Sequence, residues 1–128
     1  MRLLLDTHAF LWFVTDDPQL SDTARSLVAD LSNDVLLSPA SYWEIAIKVS
    51  LGKYPLTVPF EAFFKRGIED GKMRILPILV PHAAVLSSLP MHHKDPFDRM
   101  IISQALAEQV PVVSVDPAFD PYAVTRLW

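Results

Sequence analysis

Short apolar runs punctuate this sequence, and none of them alternates with polar residues. Arg2-Leu3-Leu4-Leu5 runs into Asp6, Val35-Leu36-Leu37 into Ser38-Pro39, and Val112-Val113-Ser114-Val115 into Asp116. A strand with one wet face alternates, so a strand apolar at every position must be covered on both faces. Longer stretches with helical spacing separate these runs. The expectation is an α/β domain whose central sheet is mostly parallel and lies between helical layers.

The turn and cap residues divide the chain further. Residues 7–14 are expected to form a helix stopped by Asp16-Asp17-Pro18, and residues 21–31 a second. Ser38 reads as the N-cap of a third helix, with Pro39 in its first position and Gly52 at its end. Pro59 opens another, which breaks near Gly71. Residues 73–76 are a third strand, 80–89 a helix, 97–109 the strongest helix of the chain, and 123–127 a last strand. With 128 residues, 51% of them hydrophobic, the chain is expected to be one domain over 1–128 with one ordinary core. The absence of cysteine rules out a disulfide scaffold and makes a reducing, cytoplasmic setting the default. The longest apolar run, residues 9–14, falls far short of the ~20 residues that span a bilayer, so no membrane association is expected.

The net charge of −4 argues against a general nucleic-acid coat. Its distribution is uneven, however: −5 over residues 1–47, +3 over 48–74 and −2 over 75–128. Ligands of parallel α/β sheets bind at the carboxyl ends of the strands. Two expected strands end in acids there, Asp6 and Asp116. Two helices that start near the same edge carry Glu44 and Asp98 in their first turns, with Asp95 at the cap of the second. Such carboxylates repel one another, and a hard divalent cation with oxygen ligands is the usual compensation. Each acid also has a plainer reading. Asp6 can cap the helix at Thr7, Glu44 can pair with Lys48 four residues on, Asp95 can cap the helix behind Pro96, and Asp116-Pro117 can open a turn. It is their joint placement that points to a site. His8 could approach the acidic edge, and His92-His93 could meet a substrate phosphate or face solvent. No zinc-ligand spacing, P-loop, Gly-x-Gly-x-x-Gly or Gly-x-Ser-x-Gly element is present.

These segments resemble a known family along nearly the whole chain. Leu3-Leu4-Leu5-Asp6-Thr7-His8 resembles the opening motif of PIN-domain ribonucleases. Ser41-Tyr42-Trp43-Glu44-Ile45-Ala46-Ile47-Lys48, with Gly52-Lys53, is similar to the second motif of VapC-type toxins. The stretch His93-Lys94-Asp95-Pro96-Phe97-Asp98-Arg99 onward resembles their third, and Val113-Ser114-Val115-Asp116 their fourth. The resemblance implies a three-layer α/β/α PIN-like fold with Asp6, Glu44, Asp98 and Asp116 as the catalytic set. The same four would hold Mg²⁺ or Mn²⁺, which acidifies a water and stabilises charge on phosphorus. Glu44 would act through water or orient the attacking group. Thr7 and Ser114 would support the carboxylates, and Ser114 stands where relatives more often carry threonine. Asp95 is an extra acid with a supporting or capping role, while Asp120 reads as a surface-loop residue that could reach the site.

The resemblance further implies an endoribonuclease that inhibits growth as the toxin of a toxin–antitoxin pair. It would form a homodimer and be silenced by a small antitoxin whose tail covers the acids. RNA contacts are expected from Lys48, Lys53 and Arg99, and more broadly from a basic middle that includes Lys65, Arg66, Lys72 and Arg74, which could equally be a solvated face. Trp12, Trp43, Phe60, Phe63, Phe64 and Trp128 could line a partner groove or pack the core. Two other readings stand beside this one. A phosphoacceptor receiver domain would need an Asp ending the third strand and a late Lys, where this chain has Pro77 and Arg126. A catalytically silent PIN domain would be expected to lack one of the four acids, and all four are present.

Overall fold

A computed structural model describes residues 1–128. The elements in order are β1 (Arg2–Leu5), α1 (Thr7–Val14), α2 (Asp22–Ala29), β2 (Asp34–Leu37), α3 (Pro39–Ser50), α4 (Phe60–Asp70), β3 (Arg74–Ile75), α5 (Val80–Ser87), α6 (Pro96–Glu108), β4 (Val112–Val113) and β5 (Arg126–Leu127). A single 3₁₀ turn, Pro117–Phe119, follows β4. The five strands form one sheet in the order β3-β2-β1-β4-β5. All four pairings are parallel, so the expected mostly parallel sheet is wholly so.

The unalternating strands are explained by two cores, one on each face. Leu3, Leu5, Val35, Leu37 and Val113 point to one side, against Phe10, Leu11, Val28 and Phe64. Leu4, Leu36 and Val112 point to the other, against Ile101, Ile102, Ala105 and Phe119. Register makes this consistent, because Leu4 lies opposite both Leu36 and Val112 while Leu5 lies opposite Leu37 and Val113. The architecture is the expected three-layer α/β/α arrangement.

Caps set the helix starts. Ser38 Oγ accepts from Ala40 N with Pro39 in the first turn, and Asp95 Oδ1 accepts from Phe97 N and Asp98 N ahead of α6. Each such cap is worth about 1 kcal/mol. Some ends fall short of their expected bounds for local reasons. The second helix stops at Ala29 because Asp30 turns its carboxylate onto Ser32 N and Oγ. The strand after α6 stops at Val113, beyond which the Ser114 N–H still meets the Leu127 carbonyl but the Ser114 carbonyl accepts from Arg126 Nη1 at 3.2 Å. No helix is long and apolar enough to cross a membrane.

The chain order of the strands matters most for function. From β1 the chain builds outward to β2 and β3, and later returns to the other side of β1 with β4 and β5. The direction of winding therefore reverses between β1 and β4. In open parallel sheets the crevice at such a reversal, beyond the carboxyl ends of the strands, is where ligands bind.

Candidate active site

Asp6 is the first residue beyond β1, at the edge of that crevice, and is 4% exposed. Its Oδ1 accepts from Thr7 N at 2.7 Å and its Oδ2 from Ser114 Oγ at 2.8 Å. It is thus the N-cap of α1, as its plainer reading held, and is at the same time bonded across to the neighbouring strand. Burial pushes its carboxyl above the ordinary range, while the bonds from Ser114 and Thr7 hold it down. Ser114 Oγ also accepts from Asp116 N at 3.0 Å, so one hydroxyl links the acids that follow β1 and β4. Asp116 in turn caps the 3₁₀ turn through Ala118 N at 2.9 Å.

The α3 contribution begins with Ser41, whose Oγ lies 2.9 Å from Thr7 Oγ1 in a buried contact between the two helix starts. One turn later, and so in the second turn of α3 instead of the expected first, Glu44 shares that face and is 5% exposed. Its Oε2 accepts from Lys48 Nζ at 2.7 Å, the expected i,i+4 pair. Its Oε1 is buried with no partner. A buried carboxylate oxygen without a donor is costly, which marks it as a place for a ligand. The bond to Glu44 raises the Lys48 ammonium above its ordinary value, and Asp95 and Asp98 add to the effect.

Asp98 stands in the first turn of α6. Burial first, then the charges of Asp6, Asp95, Glu44 and Asp116, push its carboxyl up to about 8. Four acids from separate segments of the chain therefore act on a fifth. His93 Nε2 lies 3.4 Å from Asp98 Oδ2. Asp95 is exposed and engaged as the cap of α6, in keeping with its capping role. Asp120 is paired in the open with Arg126 at 2.7 Å, and Arg126 also donates to the Ser114 carbonyl at 3.2 Å, so Asp120 meets the acids only through that arginine.

One basic assignment is corrected. Arg99, expected at RNA, is 8% exposed. Its guanidinium donates inward to the carbonyls of Pro90 (2.8 Å) and Leu89 (3.1 Å) and to Tyr122 Oη (3.3 Å). It braces the loop before α6, with these three donors spent inside the protein instead of on a backbone phosphate. Lys53 is exposed beyond α3, and Arg74 is bound to Asp34. The aromatic residues divide similarly. Phe60, Phe63 and Phe64 cluster with Phe10 in the core, and Trp12 meets Trp128 at 5.9 Å. Trp43 is 60% exposed beside Phe97, with rings 5.3 Å apart.

Ser41 and Tyr122 join the site without having stood out as site residues in the sequence, and His93, read as able to meet a phosphate or face solvent, lies against Asp98. Ser41 had a readable signal, since it precedes Glu44 by three residues on one helix. Tyr122 had none, because it reaches the site only through the fold.

No three acidic or histidine side chains are grouped to hold an ion as they stand. The donor set nevertheless fits a hard cation. All donors are carboxylate oxygens, Glu44 Oε1 lacks a partner, and burial together with the neighbouring acids drives Asp98 towards its neutral form.

Comparison with known proteins gives concordant results. A family model described as the PIN domain matches residues 3–124. Ribonuclease VapC16 of Mycobacterium tuberculosis is 49% identical over 61 residues, which are 46% of this chain and 40% of that protein. The chain thus spans well under half the length of that relative. Among solved structures, VapBC2 from Rickettsia felis, bound to a DNA fragment from its promoter, matches with a TM-score of 0.75 at 16% identity, over 99% of this chain and 98% of that one. FitAcB from Neisseria gonorrhoeae matches with a TM-score of 0.68 at 22% identity, over 98% of this chain and 96% of that one.

Proposed function

The chain belongs to the PIN domain family, and from that premise we propose that it is a divalent-metal-dependent endoribonuclease acting as a VapC-type toxin. The observation that carries this reading is that Asp6, Glu44 and Asp116 all act on Asp98 beside the point where the winding of the sheet reverses, its carboxyl being pushed up to about 8 by burial first and then by charges that include theirs. The ribonuclease name of the Mycobacterium tuberculosis relative supports RNA as the substrate.

Asp6, Asp98 and Asp116 would hold Mg²⁺ or Mn²⁺, with Glu44 contributing the oxygen that has no partner. The chemistry such an ion supplies is neutralisation of the phosphate's charge and acidification of a water. The chain's own residues do the rest. Ser114 and the Thr7 amide hold Asp6 in one orientation. The Thr7–Ser41 contact fixes α1 against α3, so Glu44 keeps its place relative to Asp6. Lys48 occupies one oxygen of Glu44 and directs the other inward. Water attack at phosphorus would leave a 5′-phosphate and a 3′-hydroxyl.

We place the active chain in the cytoplasm, as one domain over residues 1–128, paired with a small antitoxin and with a second copy of itself. The paired naming of the VapBC2 neighbour supports a protein partner. Exposed Trp43 and Ile47 on α3, with Leu51 at its C-cap, recur at four-residue intervals and offer an apolar contact for one. The four acids together keep the chain distinct from a silent, binding-only relative.

The test is cleavage of a structured RNA by the purified chain. Mn²⁺ or Mg²⁺ should support it and EDTA should abolish it, and Asp98→Asn should lower the rate by about 100-fold. Undiminished cleavage in EDTA would rule out the metal mechanism.

A further inference from the structure

Tyr122 Oη gathers an unusual number of donors. The backbone N–H groups of His92 and His93 approach it at 3.2 and 3.1 Å, and Arg99 Nη1 at 3.3 Å. The same oxygen lies 3.0 Å from His93 Nδ1. A phenol has two lone pairs and one proton to give. Three N–H groups already compete for the lone pairs, so the phenol proton goes to the one acceptor beside it, Nδ1. A neutral ring then carries its own proton on Nε2, the atom that faces Asp98 Oδ2 at 3.4 Å. The arrangement is anchored in the core. Tyr122 is 5% exposed among Ile101, Ile102 and Phe119, and Arg99 is pinned by the Leu89 and Pro90 carbonyls.

We propose that Tyr122 is a positioning residue for the acid cluster. Its hydroxyl holds His93 in the Nε2–H tautomer, and His93 then donates to Asp98 Oδ2, which leaves the other Asp98 oxygen for the cation. A neutral donor suits this place, because it steadies the carboxylate without adding a positive charge against the ion. The inference deepens the nuclease reading and rests on it for the identity of the ion, while the tautomer itself is independent of that reading.

The experiment uses the full chain with ¹⁵N-labelled histidine. Ring nitrogen resonances of the metal-free protein are recorded at about pH 9, where an ordinary histidine is neutral and Asp98, pushed up to about 8, is ionised. His93 should show a protonated Nε2 and a bare Nδ1, and Tyr122→Phe should release it into a mixture of tautomers. Calorimetry with Mn²⁺ alone then supplies a second readout. His93→Ala should weaken binding roughly tenfold, and His93→Gln, whose amide N–H can take the place of Nε2–H, should recover most of it. An Nδ1–H ring in the native chain overturns the proposal, and so does a His93→Ala variant that binds Mn²⁺ as tightly as the native protein. If Tyr122→Phe does not fold, as judged by thermal melting, the His93→Ala and His93→Gln pair decides. A native chain that binds no Mn²⁺ overturns the nuclease reading instead, and the ring resonances then decide this proposal by themselves.

Discussion

Ser114 carries a double duty that a single atom makes possible. Its hydroxyl donates to Asp6 Oδ2 and accepts from Asp116 N, so removing it leaves a buried carboxylate oxygen and an amide unpaired together. Ser114→Ala is expected to destabilise the fold by about 1–3 kcal/mol, measured by urea unfolding, and Ser114→Thr to retain most of the stability. Asp98 makes a prediction of the opposite kind. Its folded value of about 8 lies above the ordinary 3.8, so the folded chain holds this proton more tightly than the unfolded chain does. The stabilisation is full below about pH 4 and is lost as the pH rises through about 8. Thermal melts in EDTA should therefore show stability declining from about pH 5 to about pH 9. Asp98→Asn, which cannot ionise, should flatten that decline. Parallel profiles for the two proteins would show that burial and the neighbouring acids do not raise Asp98.

At the scale of elements, the site depends on helices that start at the right edge and on a close contact that seats another. The caps Ser38 and Asp95 start α3 and α6 at the carboxyl edge of the sheet, which brings Glu44 and Asp98 to it within two turns. On the opposite side of the first core, α4 packs against α1 at Gly67. A Cβ there would lie 2.7 Å from Val14 Cγ2 and 2.9 Å from Phe10 Cζ. Phe10 is fully buried and cannot retreat. Gly67→Ala should cost about 1–3 kcal/mol of stability by overpacking, read as a lower denaturant midpoint. The mobile end of Val14 sets the lower part of that range, since Val14 is only half-buried.

For the whole molecule, the net charge of −4 takes its meaning from position. Four of the fifteen acids gather at the winding reversal, and a cation bound there would bind the folded chain alone, because the unfolded chain has no such cluster. Mn²⁺ at about a hundred times its dissociation constant should then add roughly 2.7 kcal/mol of stability. The melting temperature should rise with Mn²⁺ relative to EDTA, and the rise should vanish in Asp6→Asn. An equal rise in that variant would place the ion elsewhere. Lys48 faces the acids while Arg74 is spent on Asp34. The basic middle is therefore less available to RNA than its count of charges suggests.

Much of this protein was determined by local chemistry that can be read along the chain. Unalternating apolar runs required a sheet covered on both faces, and proline with an acidic or hydroxyl cap placed the starts of α3 and α6. Asp6, Glu44, Asp98 and Asp116 were legible because strand ends and helix starts in a parallel sheet share an edge. Other features depend on contacts between residues far apart in sequence. Arg99 reads as a free cation beside the acids, yet its guanidinium turns into the loop before α6, where two carbonyls and Tyr122 satisfy it. Tyr122 lies 24 residues beyond Asp98 and reaches it only through His93. Spacing in sequence reports which face of its own element a side chain occupies; which donor meets which acceptor across elements is settled by packing.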